Sequence, residues 1–310
     1  MINKSKIQVL RTPAEIKFSI KNKQVIGFQT GNRQVPDGIE PVYLRGGYIH
    51  PVLSPSGLQV SDDFPLNHKH HHGVWTAWTK TRFEGRSPDF WNMADNTGTI
   101  VLEKINEVND GIVFGSLKST NAYYDKTVSP NKKVLREDWD IKIFNIENAV
   151  KSYYLFDIEL KQQCTSPDPL ELIKYTYGGL GFRGNWLWNG EGKTYFLTSE
   201  GKDRNKGDTT TANWVRISGR IGDKLTGVTV LSHPDNFRSP QPIRIHQKEP
   251  FFCFAPPQQG NFTIKPGETY TARYRFIVYD GEPDQNFINQ LWNDYADPIK
   301  VEIETKFPYK

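Results

Sequence analysis

Polar and apolar residues alternate with a period of two along much of this chain. In Tyr154-Leu155-Phe156-Asp157-Ile158-Glu159-Leu160-Lys161, the side chains of Tyr154, Phe156, Ile158 and Leu160 share one face and the polar residues share the other, the pattern of a half-buried strand. Residues 270–278 repeat it with Thr271, Arg273 and Arg275 outward, and Trp139, Ile141 and Ile143 alternate with Asp140 and Lys142. One wet face is the mark of antiparallel sheets. Further strands are predicted over 16–21, 25–30, 74–78, 100–108, 112–120, 214–218 and 227–231, divided by Gly, Pro, Asn and Asp clusters; Glu107-Val108-Asn109-Asp110-Gly111 marks a hairpin. A single stretch, 284–295, has helical spacing, with Phe287, Ile288, Leu291, Trp292 and Tyr295 on one stripe and Pro298 beyond its end. No linker, repeat or βα alternation interrupts the series. The pattern predicts one all-β domain over residues 1–310, an antiparallel β-sandwich with one short C-terminal helix docked on a sheet.

Composition narrows the function classes. Hydrophobic residues make up 36% and charged residues 24% of 310, which is a folded chain and not a disordered one. The net charge of +4 comes without any like-charged run longer than a pair such as Lys132-Lys133, so no nucleic-acid partner is expected. No apolar run approaches the roughly 18 residues that a membrane helix needs, and no membrane partner is expected. The opening Met1-Ile2-Asn3-Lys4-Ser5-Lys6 lacks the features of a secretory leader, which predicts a cytoplasmic protein, or a periplasmic one if a leader has been removed. Two cysteines, Cys164 and Cys253, fall short of a disulfide framework or a thiolate metal site.

The distinctive segment is Asn67-His68-Lys69-His70-His71-His72-Gly73, which holds four of the chain's seven histidines. It precedes the strand predicted at 74–78 and is expected on a loop at a sheet rim. Three readings are open. The imidazoles satisfy backbone groups in a polar loop; or they bind a metal; or they perform acid/base and hydrogen-bonding work on a polar ligand, imidazole being suited to proton transfer near neutral pH. In an extended run His68, His70 and His72 point one way and His71 the other. Alternate residues are about 6.6 Å apart along a strand, so a metal takes two of the three at most and needs distant partners such as His233, His246 or Glu84.

Other segments add polar and aromatic candidates. Asp89-Phe90-Trp91 and the run Gly178-Gly179-Leu180-Gly181-Phe182-Arg183-Gly184 offer Asp89, Trp91 and Arg183; Arg183 either holds a carboxylate or sugar hydroxyls, or is the solvated residue of a bulged edge strand. Trp91, Trp186 and Trp188 serve either as stacking platforms or as core. Ser232-His233-Pro234-Asp235-Asn236-Phe237-Arg238 brings His233 and Arg238 to a strand end. No P-loop, dinucleotide fingerprint, nucleophile elbow or His-Glu-x-x-His pattern occurs, and no cofactor is expected.

These segments, in this order, resemble the family titled "methane oxygenase PmoA", whose members carry an Asp-His-Pro-His-His-Arg-Gly-Leu-Trp-like run followed by Asp-Phe-Trp. His68, His70, His71, Gly73 and Trp75 match, as do Asp89, Phe90 and Trp91; Gly178 to Arg183, His233-Pro234, Asn236, Arg238, Lys265-Pro266-Gly267-Glu268, Arg273-Tyr274-Arg275 and Asp280-Gly281 follow. Asn67, Lys69, His72 and Tyr177 depart from the family's aspartate, proline, arginine and common acidic residue. The resemblance implies a supersandwich similar to galactose mutarotase, a fold of many carbohydrate-active proteins, and not methane chemistry, which belongs to a membrane complex.

The expectation is therefore a carbohydrate-active enzyme. His70, His71 and His233 are the catalytic candidates, with His68, Asp89, Trp91, Arg183 and Arg238 binding a small sugar. The rivals are a non-catalytic sugar-binding module and a His-ligated metal enzyme. His68, His70, His71, Arg183, His233 and Arg238 are expected to line one concave surface. His72 is expected to be peripheral, and His72→Ala mild.

Overall fold

A computed structural model describes residues 6–146 and 152–299; the opening residues examined for a leader lie outside the described residues, except Lys6. Two eight-stranded antiparallel sheets face each other. The first runs, in spatial order, Gln8–Arg11, Glu15–Ile20, Lys23–Gln29, Tyr48–Val52, Val74–Ala77, Gly179–Arg183, Phe251–Phe254 and Ile243–Ile245. The second runs Thr194–Thr198, Trp214–Ile221, Lys224–Ser232, Tyr270–Asp280, Tyr153–Cys164, Lys132–Phe144, Phe114–Asp125 and Gly98–Asn109. A small third sheet joins Phe262–Ile264, Leu170–Leu172 and Thr81–Arg82.

The alternation in the sequence accounts for the layers. Phe156, Ile158, Trp139, Ile141 and Phe276 of the second sheet meet Phe18, Phe28, Val74, Phe182, Phe252 and Phe254 of the first in one buried apolar cluster. Burying aromatic and β-branched side chains between two sheets is the principal stabilising term of such a fold. The helix Gln285–Ala296 is N-capped by Asp284, whose carboxylate accepts from the Asn286 N–H at 3.2 Å. Its stripe packs Ile288, Leu291, Trp292 and Tyr295 on Trp214, Leu231 and Ile277 of the second sheet.

One feature of the first sheet differs from the sequence reading. Gly179–Arg183 is a fully buried central strand, paired with Val74–Ala77 on one side and Phe251–Phe254 on the other, and not a bulged edge with a solvated arginine. Its glycines make room instead of a bulge: a Cβ on Gly181 would come within 2.9 Å of the Trp75 ring. Between the sheets lies a polar island. Glu137, wholly buried, accepts hydrogen bonds from Thr76 Oγ1 (2.7 Å), Tyr123 Oη (3.0 Å), Gln162 Nε2 (2.7 Å) and Asn121 Nδ2 (3.1 Å). Thr76 belongs to the first sheet and the other donors to the second, so this carboxylate fixes the register of one sheet over the other.

Along the central strands the side chains divide between two faces. Val74, Leu180, Phe182, Phe252 and Phe254 enter the intersheet core, while Trp75, Ala77, Phe251 and Cys253 belong to a second apolar cluster. The histidine segment packs on Trp75 and Phe251 of that second face.

Candidate functional site

Residues 65–73 do not extend. The His68 N–H donates to Pro65 O (2.9 Å) and the His71 N–H to His68 O (2.8 Å), two successive turns that replace the strand-like alternation. His68, His70 and His71 consequently share one wall, and His72 turns the other way. The rings of His68 and His71 stack at 4.8 Å between centroids, His70 and His71 meet edge-on at 4.7 Å, and His71 lies flat on Phe251 at 4.5 Å. His246, from the turn before Phe251–Phe254, adds a fourth ring 5.6 Å from His68.

These four imidazoles, with Thr79, Trp91, Asn92, Tyr175 and Tyr177, line a cavity of about 180 Å³. No Lys, Arg, Asp or Glu is among its lining residues. Burial disfavours the charged form of His70, His71 and His246: His70 is lowered to about 3, with the charges of His68, His72 and Arg183 adding to the effect. Burial holds His246 at about 4 and His71 well below its ordinary value. His246 Nδ1 accepts the N–H groups of Glu249 (3.1 Å) and Lys248 (3.3 Å), so the neutral ring carries its proton on Nε2. His71 Nδ1 is buried without a hydrogen-bond partner among the described residues. The cavity thus offers hydrogen-bond donors and acceptors, with His70, His71 and His246 uncharged. Among the described residues, no group of three or more His, Cys, Asp or Glu side chains is arranged to hold a metal ion.

The other candidates from the sequence sit elsewhere. Arg183 is entirely buried beneath the cavity; its guanidinium is paired with Glu249 and donates to Asn189 Oδ1 (3.1 Å) and Asn67 Oδ1 (3.4 Å), so it is not free to hold a ligand carboxylate. Asn67 also donates to Glu249, and His68 Nδ1 lies 3.2 Å from the same carboxylate. Burial alone would raise Glu249, but hydrogen bonds from His68 and Arg183 and the arginine's charge hold it at about 2. Asp89 closes its own turn, its Oδ1 accepting the Trp91 and Asn92 N–H groups at 2.8 Å and its Oδ2 the Asn92 amide at 2.8 Å. Trp91 lines the cavity at 3% exposure, packed on Trp75, so little of its face is left for a sugar. Of the other two tryptophans, Trp188 is core and Trp186 is exposed away from the cavity.

His233 and Arg238 do not share this wall. The His233 ring packs edge-on against Tyr295 of the C-terminal helix at 5.0 Å, and its Nδ1 accepts the Asp235 N–H. Arg238 donates to the carbonyls of Pro256 (2.6 Å), Gly260 (2.7 Å) and Asn261 (3.1 Å), pinning a loop. A strand end brought both residues near a turn, but it is a turn over the helix and the third sheet.

His72 is a further correction. It is wholly buried, with Nδ1 2.7 Å from Asp63 Oδ1, and Asp63 also accepts from Tyr48 Oη (2.9 Å) and Arg33 Nη2 (2.5 Å). Burial alone would raise the Asp63 carboxyl, but the His72 bond and neighbouring positive charge hold it at about 2. Removing the imidazole leaves a cavity and withdraws a donor from a buried carboxylate. His72→Ala is therefore expected to lose about 2–3 kcal/mol of unfolding free energy, measured by urea titration; a loss below about 0.5 kcal/mol, the range of surface substitutions, would show that Asp63 does not depend on it.

An antiparallel β-sandwich with a histidine-rich cavity on its central strands is the class that the fold and site define. The chain belongs to DUF6807, a family of unknown function, whose model matches residues 15–293. No curated protein matches it. A solved structure similar to it is the crystal structure of heparan sulfate lyase HepC from Pedobacter heparinus, at 11% identity and a TM-score of 0.42 over 90% of this chain. The chain spans 37% of that protein's length.

Proposed function

We propose that this protein is carbohydrate-active and that the histidine cavity takes one ring of a neutral sugar. The carrying observation is the lining: four imidazoles, two tyrosines, a threonine and an asparagine, with no Lys, Arg, Asp or Glu among them. Such a wall hydrogen-bonds hydroxyls in both directions and offers nothing to a carboxylate or phosphate. The motif resemblance to the "methane oxygenase PmoA" family, with its mutarotase-like sandwich, supports the carbohydrate part of the reading.

His68, His70 and His246 are each partly exposed in the cavity, and we assign His70 the direct contact with the ligand. Neutral at working pH, it accepts a hydroxyl proton, as a hydrogen-bond acceptor in a binding module or as a general base in an enzyme. One observation favours the enzyme: Arg244 Nη2 donates to Tyr177 Oη at 3.1 Å, which leaves the phenolic proton of Tyr177 for a ligand oxygen facing the histidines. In that case His70 takes a proton from the sugar and Tyr177 returns one to it, a pair suited to epimerisation or elimination.

Calorimetric titration with a panel of neutral monosaccharides tests the reading. His70→Ala is expected to weaken binding of whichever sugar binds the wild type by at least about tenfold, a loss of about 1.4 kcal/mol, with the circular dichroism spectrum unchanged. Unaltered affinity in a folded His70→Ala variant would remove the cluster from the site. Turnover that is lost in Tyr177→Phe while binding is kept distinguishes the enzyme from the binding module.

A further inference from the structure

The histidine cavity is small. Its 180 Å³ falls below the roughly 300–1,000 Å³ of ordinary small-ligand sites. It has a neighbour: Tyr175 also lines a groove of about 510 Å³, whose other walls include Thr176, Thr209, Thr211, Gln258 and Gln259, with the exposed Lys174. Hydroxyls and carboxamides with an aromatic ring between two compartments are the chemistry of a sugar chain and not of an isolated monosaccharide.

The groove is held in place by specific contacts. The Tyr175 N–H donates to Pro257 O (3.3 Å) and Gln258 Nε2 to Thr176 O (3.0 Å), which ties the segment bearing Tyr175 to the turn Pro256–Gln259. The Lys80 ammonium sits 4.4 Å from the centre of the Tyr175 ring and fixes its position. On the opposite wall Thr209 has a φ of +58°, a left-handed conformation that a β-branched residue adopts only when its surroundings impose it, and such strain gathers at ligand sites.

We propose that the natural ligand is a neutral glycan of at least two units, one ring in the histidine cavity and the next in the threonine and glutamine groove, with Tyr175 between them. This rests on the carbohydrate reading of the histidine cavity and adds the length of the ligand to it.

The test compares glucose, galactose, mannose and xylose with their homo-oligosaccharides of two to four units, by calorimetric titration of the wild type, Gln259→Trp and His70→Ala. Gln259 is exposed, so an indole there fills the groove without entering the core. For the sugar series that binds, the wild type is expected to bind the disaccharide at least about tenfold tighter than the monosaccharide. Gln259→Trp should abolish that gain and leave monosaccharide affinity alone, whereas His70→Ala should weaken both. Equal affinity for one unit and for several, or a gain that survives Gln259→Trp, overturns the proposal while the histidine site stands. Binding of no sugar at any length overturns the carbohydrate reading, and this proposal with it.

Discussion

Between pH 7 and pH 5 the thermal midpoint of this protein is expected to fall by about 10 °C. The cause is the set of imidazoles that the fold holds neutral. Burial lowers His50 and His246 to about 4 and His70 to about 3, and lowers His71 well below its ordinary value. In the unfolded chain each of these takes up a proton as pH drops through about 6.5; in the folded chain it does not until far lower. The unfolded state therefore binds more protons in this window, and stability is complete above about 6.5 and lost as pH falls below it. Two carboxyls work the other way, since burial raises Asp62 to about 6, so that below that pH it holds a proton in the fold that it gives up on unfolding, and burial raises Asp89 as well. Burial lowers His72 and His233 too, so the lowered imidazoles outnumber the raised carboxyls, and a net difference of about two protons is worth about 3 kcal/mol per pH unit. Thermal unfolding followed by circular dichroism at constant ionic strength reads this directly. A midpoint that stays level from pH 7 to pH 5 would mean that the cluster takes up protons while folded, and the neutral-cavity account would fail with it.

Glu249→Ala is expected to be the most damaging single substitution at the site. It strips the partner from the Arg183 guanidinium, which has no solvent exposure, and removes the acceptor shared by Asn67 and His68. Leaving one charge of a buried pair uncompensated costs about 3–5 kcal/mol, or about 10 °C of thermal midpoint in a chain of this size. Glu249→Gln keeps oxygen and shape but not charge, and should fall between the two. Glu268→Ala is the control, because its ion pair with Lys265, 3.5 Å apart and solvent-exposed, is worth at most about 0.5 kcal/mol. Midpoints of Glu249→Ala and Glu268→Ala within a degree or two of each other would show that Arg183 finds water or another acceptor. Because Glu249 lies at the joint between strand and loop, the same substitution should also blunt sugar binding without touching a lining residue.

The long strands of the second sheet were legible because one of their faces is wet in places and the alternation survives. The central place of Gly179–Arg183 and Phe251–Phe254 was not, since strands buried on both faces do not alternate and glycines read as turn or bulge signals. The histidine segment stood out by density alone, and the structure does bring His68, His70 and His71 onto one cavity. What the local pattern missed was their geometry: two turns set His71 beside His68 and send His72 to Asp63. Glu249, Tyr175 and Thr79 reach the site from separate loops with no shared spacing, so only the tertiary fold shows them together. His233 and Arg238 were misplaced for the same reason, since proximity to a strand end says nothing about which end of which sheet.

The Glu137 island between the sheets bears on how this sequence can drift. Its four donors converge on a single buried carboxylate, so exchanging Thr76, Tyr123, Asn121 or Gln162 alone leaves the carboxylate short of a donor, and exchanging Glu137 alone leaves the four with only the longer bonds among themselves and to Gly47 O. An all-apolar replacement is tolerable only if the members change together. Stepwise routes through single substitutions all lead uphill, and across relatives these five positions should travel as one block, either kept whole or replaced whole.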